Sequence, residues 1–233
     1  MGDFFKFENG DFDFPFYNDI PKLSTVDWII LLFGPLLFVA ILLLPFSLNS
    51  NAFAVLSCLL CLIPVVYVSK GNLKLFFRIP ERRDIKLIVL CFISYFIYAI
   101  IMATLLDYFC LSTAANPVFG MHMDVMFFVS SAIQLMGEEL FKIILLIIPM
   151  FVVYRFTNRR KFAVVSGVVV SLLLFALLHL PTYNYNFFQC IFVIGIGGIF
   201  NLFAYLKTKN VVASYLVHIL IDFVPFIMSI IIN

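Results

Sequence analysis

Residues 125–154 read VMFFVSSAIQLMGEELFKIILLIIPMFVVY, and this stretch decides the fold class. Within this stretch only Glu138, Glu139 and Lys142 are charged. A helix crosses the hydrocarbon core of a bilayer with about 20 predominantly apolar residues. The stretch therefore predicts a membrane-spanning helix that carries charged side chains inside the membrane.

The rest of the chain has the same apolar character. Of its 233 residues, 64% are hydrophobic and only 12% are charged, and the mean hydropathy is +1.12. Apolar runs long enough to cross a membrane lie at approximately 28–46, 52–69, 85–106, 125–154, 162–180, 187–206 and 211–231. We expect an all-α polytopic transmembrane bundle of about seven helices within the lipid bilayer. The fourth run is too long for one straight crossing, which predicts an interfacial start around Asp124 or a break near Gly137.

The basic residues indicate how the chain lies in the membrane. Of the 15 Lys and Arg residues, all but Lys142 fall before the first run or around the segments that follow the second, fourth and sixth runs. These segments share one side of the membrane, and cytoplasmic loops carry an excess of Lys and Arg. We therefore expect a multi-pass protein of the cell membrane with a cytoplasmic N-terminus. The net charge of +2 is too small to indicate a nucleic-acid partner.

Several ionisable side chains lie within the apolar runs. They are Glu138, Glu139 and Lys142 in the fourth run, His179 in the fifth, and His218 and Asp222 in the seventh. An ionised side chain at the bilayer centre costs at least about 2.5 kcal/mol, so these groups need partners. Because unpaired polar groups in lipid would cost more than packing returns, we expect them to share one hydrated site between three helices.

The spacing of these residues within each helix supports a common site. Lys142 follows Glu139 by three residues and Glu138 by four, so it can reach either carboxylate along the helix face. One polar stripe on the seventh run is formed by Ser214, His218 and Asp222. Asn201 on the sixth run can reach the same cavity, although a helix–helix hydrogen bond is the favoured interpretation.

The predicted site residues lie at different depths along their helices, which makes a common site difficult to form. At about 1.5 Å per residue, Glu138 lies roughly 25 Å from the basic end of its run. By the same rule, His218 lies only about 13 Å from Lys209. A common site then requires a tilted helix, a re-entrant turn before the seventh run, or Lys side chains that extend to the surface.

This set of side chains is suited to hydrolysis. Glu138, His179 and His218 offer the oxygen and nitrogen ligands that zinc or another divalent ion binds, with one position left for water. A metal-bound water has its pKa lowered toward about 7 and becomes a nucleophile. The same residues can work without a metal: a Glu–His pair activates water, while the second His and Asp222 stabilise the oxyanion. The sequence leaves both mechanisms open.

Three short motifs lie in order on separate runs. They are EELFK at 138–142, FALLH at 175–179 and HILID at 218–222. The first resembles the double-glutamate motif, the second the FxxxH motif and the third the HxxxN/D motif of the CAAX-protease and bacteriocin-processing family, also called the Abi family. The resemblance covers residues 138–222, in the C-terminal half of the chain.

The resemblance implies an intramembrane endopeptidase that hydrolyses membrane-associated peptides or proteins. Eukaryotic members of the family cleave prenylated proteins after their lipidated cysteine, and many bacterial members are linked to bacteriocin processing or self-immunity. For this chain, it implies a catalytic group of Glu138, His179, His218 and Asp222, with Glu139 in support.

The chain is expected to divide into three parts. Residues 1–27 form an N-terminal segment at the membrane interface, and residues 28–110 form three transmembrane helices. The resemblance implies that residues 120–231 form the catalytic helical core.

One position departs from the family pattern. The family commonly has Arg five residues after the first Glu of its motif, where this chain has Ile143. Lys142 is one position earlier and turned by about 100° around the helix. The departure favours an alternative function, a non-catalytic membrane immunity or interaction protein that keeps the buried cluster as a structural network. The retention of both His and both Glu residues of the motifs favours the enzyme. A proton-coupled transporter is a third alternative, but the sequence indicates neither the internal repeats nor the broken helices typical of transporters.

Overall fold

The computed structural model describes residues 4–43, 48–111 and 113–232, and this part of the chain contains helices but no strand. The long helices are α1 Thr25–Leu43, α2 Ser50–Val68, α3 Arg82–Tyr108, α4 Val125–Thr157, α5 Arg160–Leu178, α6 Ile199–Thr208 and α7 Val211–Ile232. A π-helical segment, Gln189–Gly195, precedes α6. With that segment joined to α6, the described residues contain seven spans long and apolar enough to cross a membrane. The prediction of an all-α, multi-pass membrane bundle is confirmed.

Polar residues at the helix ends explain where several helices begin and end. The side chain of Asn49 accepts a hydrogen bond from the Ala52 N–H at 2.8 Å and caps α2. Asp124 caps α4 in the same way by accepting from the Phe127 N–H at 2.8 Å. Asn158, with φ of 51°, ends α4 in the left-handed conformation that asparagine tolerates. These caps place the ends of the helices within a few residues of the predicted runs.

Helix α4 is continuous over 33 residues, so the predicted break near Gly137 is wrong. Gly137 instead allows α2 and α4 to pack closely, because a Cβ atom there would lie 2.8 Å from the Cα of Cys58. The irregular helix is in the sixth span, where residues 196–198 form a turn between the π-helical segment and α6. The interfacial start around Asp124 stays a prediction.

Helix α4 lies at the centre of the bundle. It packs against α1, α2, α5 and α7, while α3 packs against α6 and α7 on one side. Fully buried apolar residues of α4 include Leu140, Ile143, Ile144, Leu146 and Ile147. This position brings the charged residues of α4 within reach of α5, α6 and α7.

The N-terminal segment, residues 4–24, folds against the helix ends that carry the basic residues. Phe14, Phe16 and Tyr17 are buried. The ring centroid of Phe14 lies 5.9 Å from that of Tyr205 in α6, and that of Tyr17 lies 4.9 Å from that of Tyr154 in α4. We call this side of the bundle, with the α2–α3, α4–α5 and α6–α7 connections, the basic face. Helix α1 begins at Thr25, and the predicted three-part division of the chain stays a prediction.

Candidate active site

The structure brings the predicted site residues of α4, α5 and α7 together. Glu138 projects from the middle of α4, and His179 follows directly on the last residue of α5. The Oε2 atom of Glu138 lies 4.0 Å from Nε2 of His179 and 4.0 Å from Nε2 of His218. Asp222, one turn further along α7, places Oδ2 3.7 Å from the same His218 nitrogen. The four side chains therefore converge on one point.

A cavity of about 200 Å³ surrounds these four side chains. The three separations given above are longer than direct hydrogen bonds, but each is short enough for one water molecule to bridge. The cavity volume is enough for several water molecules, each of which occupies about 30 Å³ in the liquid. The geometry thus agrees with the predicted hydrated pocket.

Both imidazoles direct Nε2 toward Glu138. Nδ1 of His179 lies 2.9 Å from the Phe175 carbonyl oxygen, which can only accept a hydrogen bond, so Nδ1 carries a proton. Nδ1 of His218 lies 2.9 Å from Oε1 of Glu139, and a carboxylate likewise favours a proton on that nitrogen. In each neutral ring, Nε2 then presents its lone pair to the cavity.

Gln134 is a site residue that the sequence did not reveal. Its side-chain amide donates a hydrogen bond to Oε1 of Glu138 at 2.9 Å and leaves Oε2 facing the two imidazoles. The two residues are one helical turn apart, so their i, i+4 spacing was the available signal. Gln134 fixes the orientation of the Glu138 carboxylate.

Glu139 lies in a separate, fully buried network behind the cavity. It accepts hydrogen bonds from the Asn201 amide at 2.8 Å and from the Ser214 hydroxyl at 2.5 Å. It also forms a salt bridge with Nζ of Lys142 and contacts Nδ1 of His218. Because every oxygen of Glu139 is engaged, its role in this geometry is to hold His218 and α6 in place.

Comparison with known proteins finds one family model that is similar to this region. Residues 121–224 match the family model described as Rce1-like, type II CAAX prenyl endopeptidase Rce1-like. This segment, which we call the Rce1-like segment, is thus similar to that family. The match confirms the resemblance predicted from the three motifs, and the Rce1-like segment contains all five predicted catalytic residues. A search of curated proteins and a search of solved structures each gave no match.

The structure shows what surrounds Ile143, where this chain departs from the family pattern, and the neighbouring Lys142. Ile143 is fully buried in the apolar core, whereas Lys142 reaches Glu139 directly. Nζ of Lys142 also lies 4.4 Å from the centre of the Phe175 ring, in a cation–π contact. Lys142 thus supplies a cation to the second glutamate of the motif from the neighbouring position.

The α6–α7 turn bears on the depth at which His218 lies along its helix. The side chain of Lys209 in this turn is fully buried and binds Glu8 of the N-terminal segment. Lys209 is therefore not exposed at the surface of the protein, and its position along the helix does not measure the depth of His218. The turn lies inside the protein beneath the N-terminal segment, which allows His218 to meet Glu138.

The predicted metal ligands Glu138, His179 and His218 are spaced more widely than zinc ligands. Zinc bonds of about 2.0–2.2 Å in a tetrahedral site place neighbouring donor atoms roughly 3.3–3.5 Å apart, whereas Glu138 lies 4.0 Å from each imidazole nitrogen. Among the residues that the structure describes, no group of three or more His, Cys, Asp and Glu is arranged to hold a metal ion. Binding of a divalent ion stays a prediction, and no step below depends on it.

Proposed function

We propose that this protein is an intramembrane endopeptidase that hydrolyses membrane-associated peptides or proteins. One observation carries the proposal: the Glu138 carboxylate faces two imidazole nitrogens at 4.0 Å across a buried cavity. The Rce1-like match adds a family of endopeptidases to that geometry. A purely structural network would pair these groups directly, whereas here a gap separates them.

The gap supports activation of a water molecule. A water between Glu138 and His179 donates one hydrogen bond to the carboxylate and one to Nε2 of the imidazole. Glu138 removes a proton as the water oxygen attacks the carbonyl carbon of the scissile peptide bond. The same proton passes to the leaving nitrogen as the carbon–nitrogen bond breaks, which restores the carboxylate.

The opposite wall of the cavity is suited to the negative charge of the intermediate. An N–H at Nε2 of His218, when the ring is protonated, donates to the oxyanion, and a protonated Asp222 donates beside it. Glu139 holds the His218 ring from behind. Such pre-oriented donors stabilise a negative charge more strongly in a cavity shielded from bulk water than at an exposed surface.

We also propose that the protein lies in the cell membrane with its basic face in the cytoplasm. The support is the excess of Lys and Arg on that face. Under this orientation the N-terminal segment is cytoplasmic, and α7 ends on the extracytoplasmic side.

The test of the proposed function compares proteolysis by wild-type and Glu138→Gln proteins. Each is reconstituted into vesicles with the membrane proteins of its native host, and new protein N-termini are identified by mass spectrometry. We expect new N-termini with the wild-type protein and none with Glu138→Gln or His179→Ala. Asp107→Asn, which changes an exposed carboxylate outside the cavity, is the control and should cleave like the wild type.

Equal products from wild-type and Glu138→Gln proteins would refute the endopeptidase and support the non-catalytic alternative. A cellular phenotype such as bacteriocin resistance then distinguishes an immunity role. If Glu138→Gln and His179→Ala retain that phenotype, the buried groups serve structure rather than hydrolysis.

A further inference from the structure

The cavity opens toward the face opposite the basic one. Its wall includes Asn116 and Val118 from the α3–α4 connection and Thr182 and Tyr183 from the connection that follows α5. Both connections contain no Lys or Arg. None of the residues that line the cavity in the described part of the chain belongs to the N-terminal segment or to a connection of the basic face.

The exposed fraction of the site side chains also increases toward the face opposite the basic one. The side chain of Asp222, furthest along α7 from the basic face, is 32% exposed, and that of His179 at the end of α5 is 19% exposed. Glu138, deeper in α4, is 9% exposed. Glu139 is completely buried. Access from solvent therefore decreases from the opposite face toward the basic face.

The N-terminal segment closes the bundle on the basic face. Arg160 donates two hydrogen bonds to the Glu8 carboxylate, at 2.8 and 2.7 Å, and a further one to Asp13 at 2.7 Å. Lys209 binds the same Glu8 carboxylate. The side chains of Glu8, Arg160 and Lys209 are all at least nine-tenths buried. This cluster ties the segment to α5 and to the α6–α7 turn, between the site and the basic face.

We infer that the substrate enters from the extracytoplasmic side of the membrane, through the opening between the α3–α4 connection and the connection after α5. The inference rests on the proposed function and on the cytoplasmic position of the basic face. The substrate class it identifies is a polypeptide segment displayed at the extracytoplasmic surface of the membrane, rather than the tail of a cytoplasmic protein.

Cysteine accessibility tests this route without depending on catalysis. Among the described residues, Cys110 is exposed and the other four cysteines are buried, so Cys110→Ser provides the background. Three single cysteines are then introduced: Thr182→Cys at the opening, Ser131→Cys in the cavity wall, and Lys74→Cys on the basic face. Intact and permeabilised cells are treated with a small, charged, membrane-impermeant thiol reagent, and labelling after denaturation measures the total thiol.

We expect Thr182→Cys and Ser131→Cys to be labelled equally in intact and permeabilised cells. Lys74→Cys should lose its labelling in intact cells. Labelling of Lys74→Cys in intact cells, or of Ser131→Cys only after permeabilisation, would overturn the inference. So would a Ser131→Cys thiol that stays unreactive in both preparations while Thr182→Cys reacts.

The result is separable from the test of the proposed function. If the cavity is reached from outside but Glu138→Gln and wild-type vesicles give the same products, the peptidase proposal fails and the route stands. If cleavage depends on Glu138 but the cavity is reached only from the basic face, the route fails and the peptidase proposal stands.

Discussion

Two adjacent glutamates have opposite surroundings in this protein. Glu138 faces the cavity, and Gln134 orients its carboxylate. Glu139 is completely buried and bonded to groups from α4, α6 and α7. Neighbouring positions on a helix point about 100° apart, so one residue can serve the reaction while the next holds the surrounding helices together.

The salt bridge between Lys142 and Glu139 leads to a prediction about single residues. Lys142→Met removes the cation and leaves a completely buried carboxylate without its salt bridge. Removing one partner of a buried ion pair costs about 3–5 kcal/mol, so we expect a clear fall in the melting temperature of the protein in detergent. The matched variant Lys142→Met with Glu139→Gln removes both charges and should recover most of the loss. A single variant that melts like the wild type would contradict the buried pair.

The side chains that the sequence could predict are those whose burial in lipid is costly. Glu138, Glu139, His179, His218 and Asp222 were identified because each is expensive in an apolar run. The choice of Lys142 between two carboxylates stayed open, because i, i+3 and i, i+4 spacings are equally compatible with a helix. Uncharged groups such as Gln134 gave no comparable signal, and the partner of Asn201 depended on how α6 is rotated against α4.

At the scale of the elements, the close contact of α2 with α4 determines the position of Glu138. The contact is made at Gly137, directly before Glu138, where a Cβ atom would lie 2.8 Å from Cα and 2.9 Å from N of Cys58. Backbone atoms cannot move aside as a flexible side chain can. The separation of the two helices at this level therefore depends on the absence of a side chain.

We expect Gly137→Ala to separate α2 from α4 and to displace Glu138 from the two imidazoles. Overpacking of a close contact costs typically about 1–3 kcal/mol, so the melting temperature should fall and cleavage should weaken with it. Gly120→Ala is the control, because a Cβ atom there would have nothing within 4 Å. Equal melting temperatures for the two variants would show that the helices are not held this closely.

Helix lengths and positions were largely predictable, because a bilayer imposes an apolar run of defined length. The position of the irregular stretch in the sixth span could not be predicted. Gly137 in α4 and Gly195, Gly197 and Gly198 before α6 look alike in sequence, yet only the second group lies at a break in the helix. The difference arises from packing, since the neighbours of a glycine decide whether it serves a turn or a close contact.

At the scale of the whole molecule, the basic residues have two roles. Most lie exposed and indicate the orientation of the chain, but Arg160 and Lys209 are buried under the N-terminal segment. Their partner Glu8 is distant in sequence, and no local pattern predicts such a contact. For this reason the sequence indicated an interfacial N-terminal segment but not its attachment to α5 and to the α6–α7 turn.

The buried cluster predicts a dependence of stability on acid. Burial by itself would raise the pKa of Glu8, but hydrogen bonds from Arg160 and Lys209 outweigh it and hold that pKa below its ordinary value of 4.5. The unfolded chain thus binds the proton more tightly than the native protein. The contribution of Glu8 to stability is complete above the unfolded pKa and is lost as the pH falls through the native pKa.

We therefore expect the melting temperature of the wild-type protein in detergent to fall as the pH drops below the ordinary glutamate pKa of 4.5, with a shallower fall for Glu8→Gln. Glu8→Gln should also melt lower than the wild type at neutral pH, because Arg160 and Lys209 lose a charged partner. Asp107→Asn, at an exposed site, should keep the acid dependence of the wild type. Parallel pH curves for the wild type and Glu8→Gln would refute the role of the cluster.

The attachment of the N-terminal segment also has a consequence for biogenesis. Glu8 precedes Arg160 by 152 residues and Lys209 by 201 in the chain. Translation delivers Glu8 long before either partner, so the segment stays undocked while the intervening helices are inserted one after another. Docking becomes complete only when the last hairpin, α6 with α7, has entered the membrane. Because Glu138 faces His218 of α7, the pocket is assembled only after α7 has been inserted.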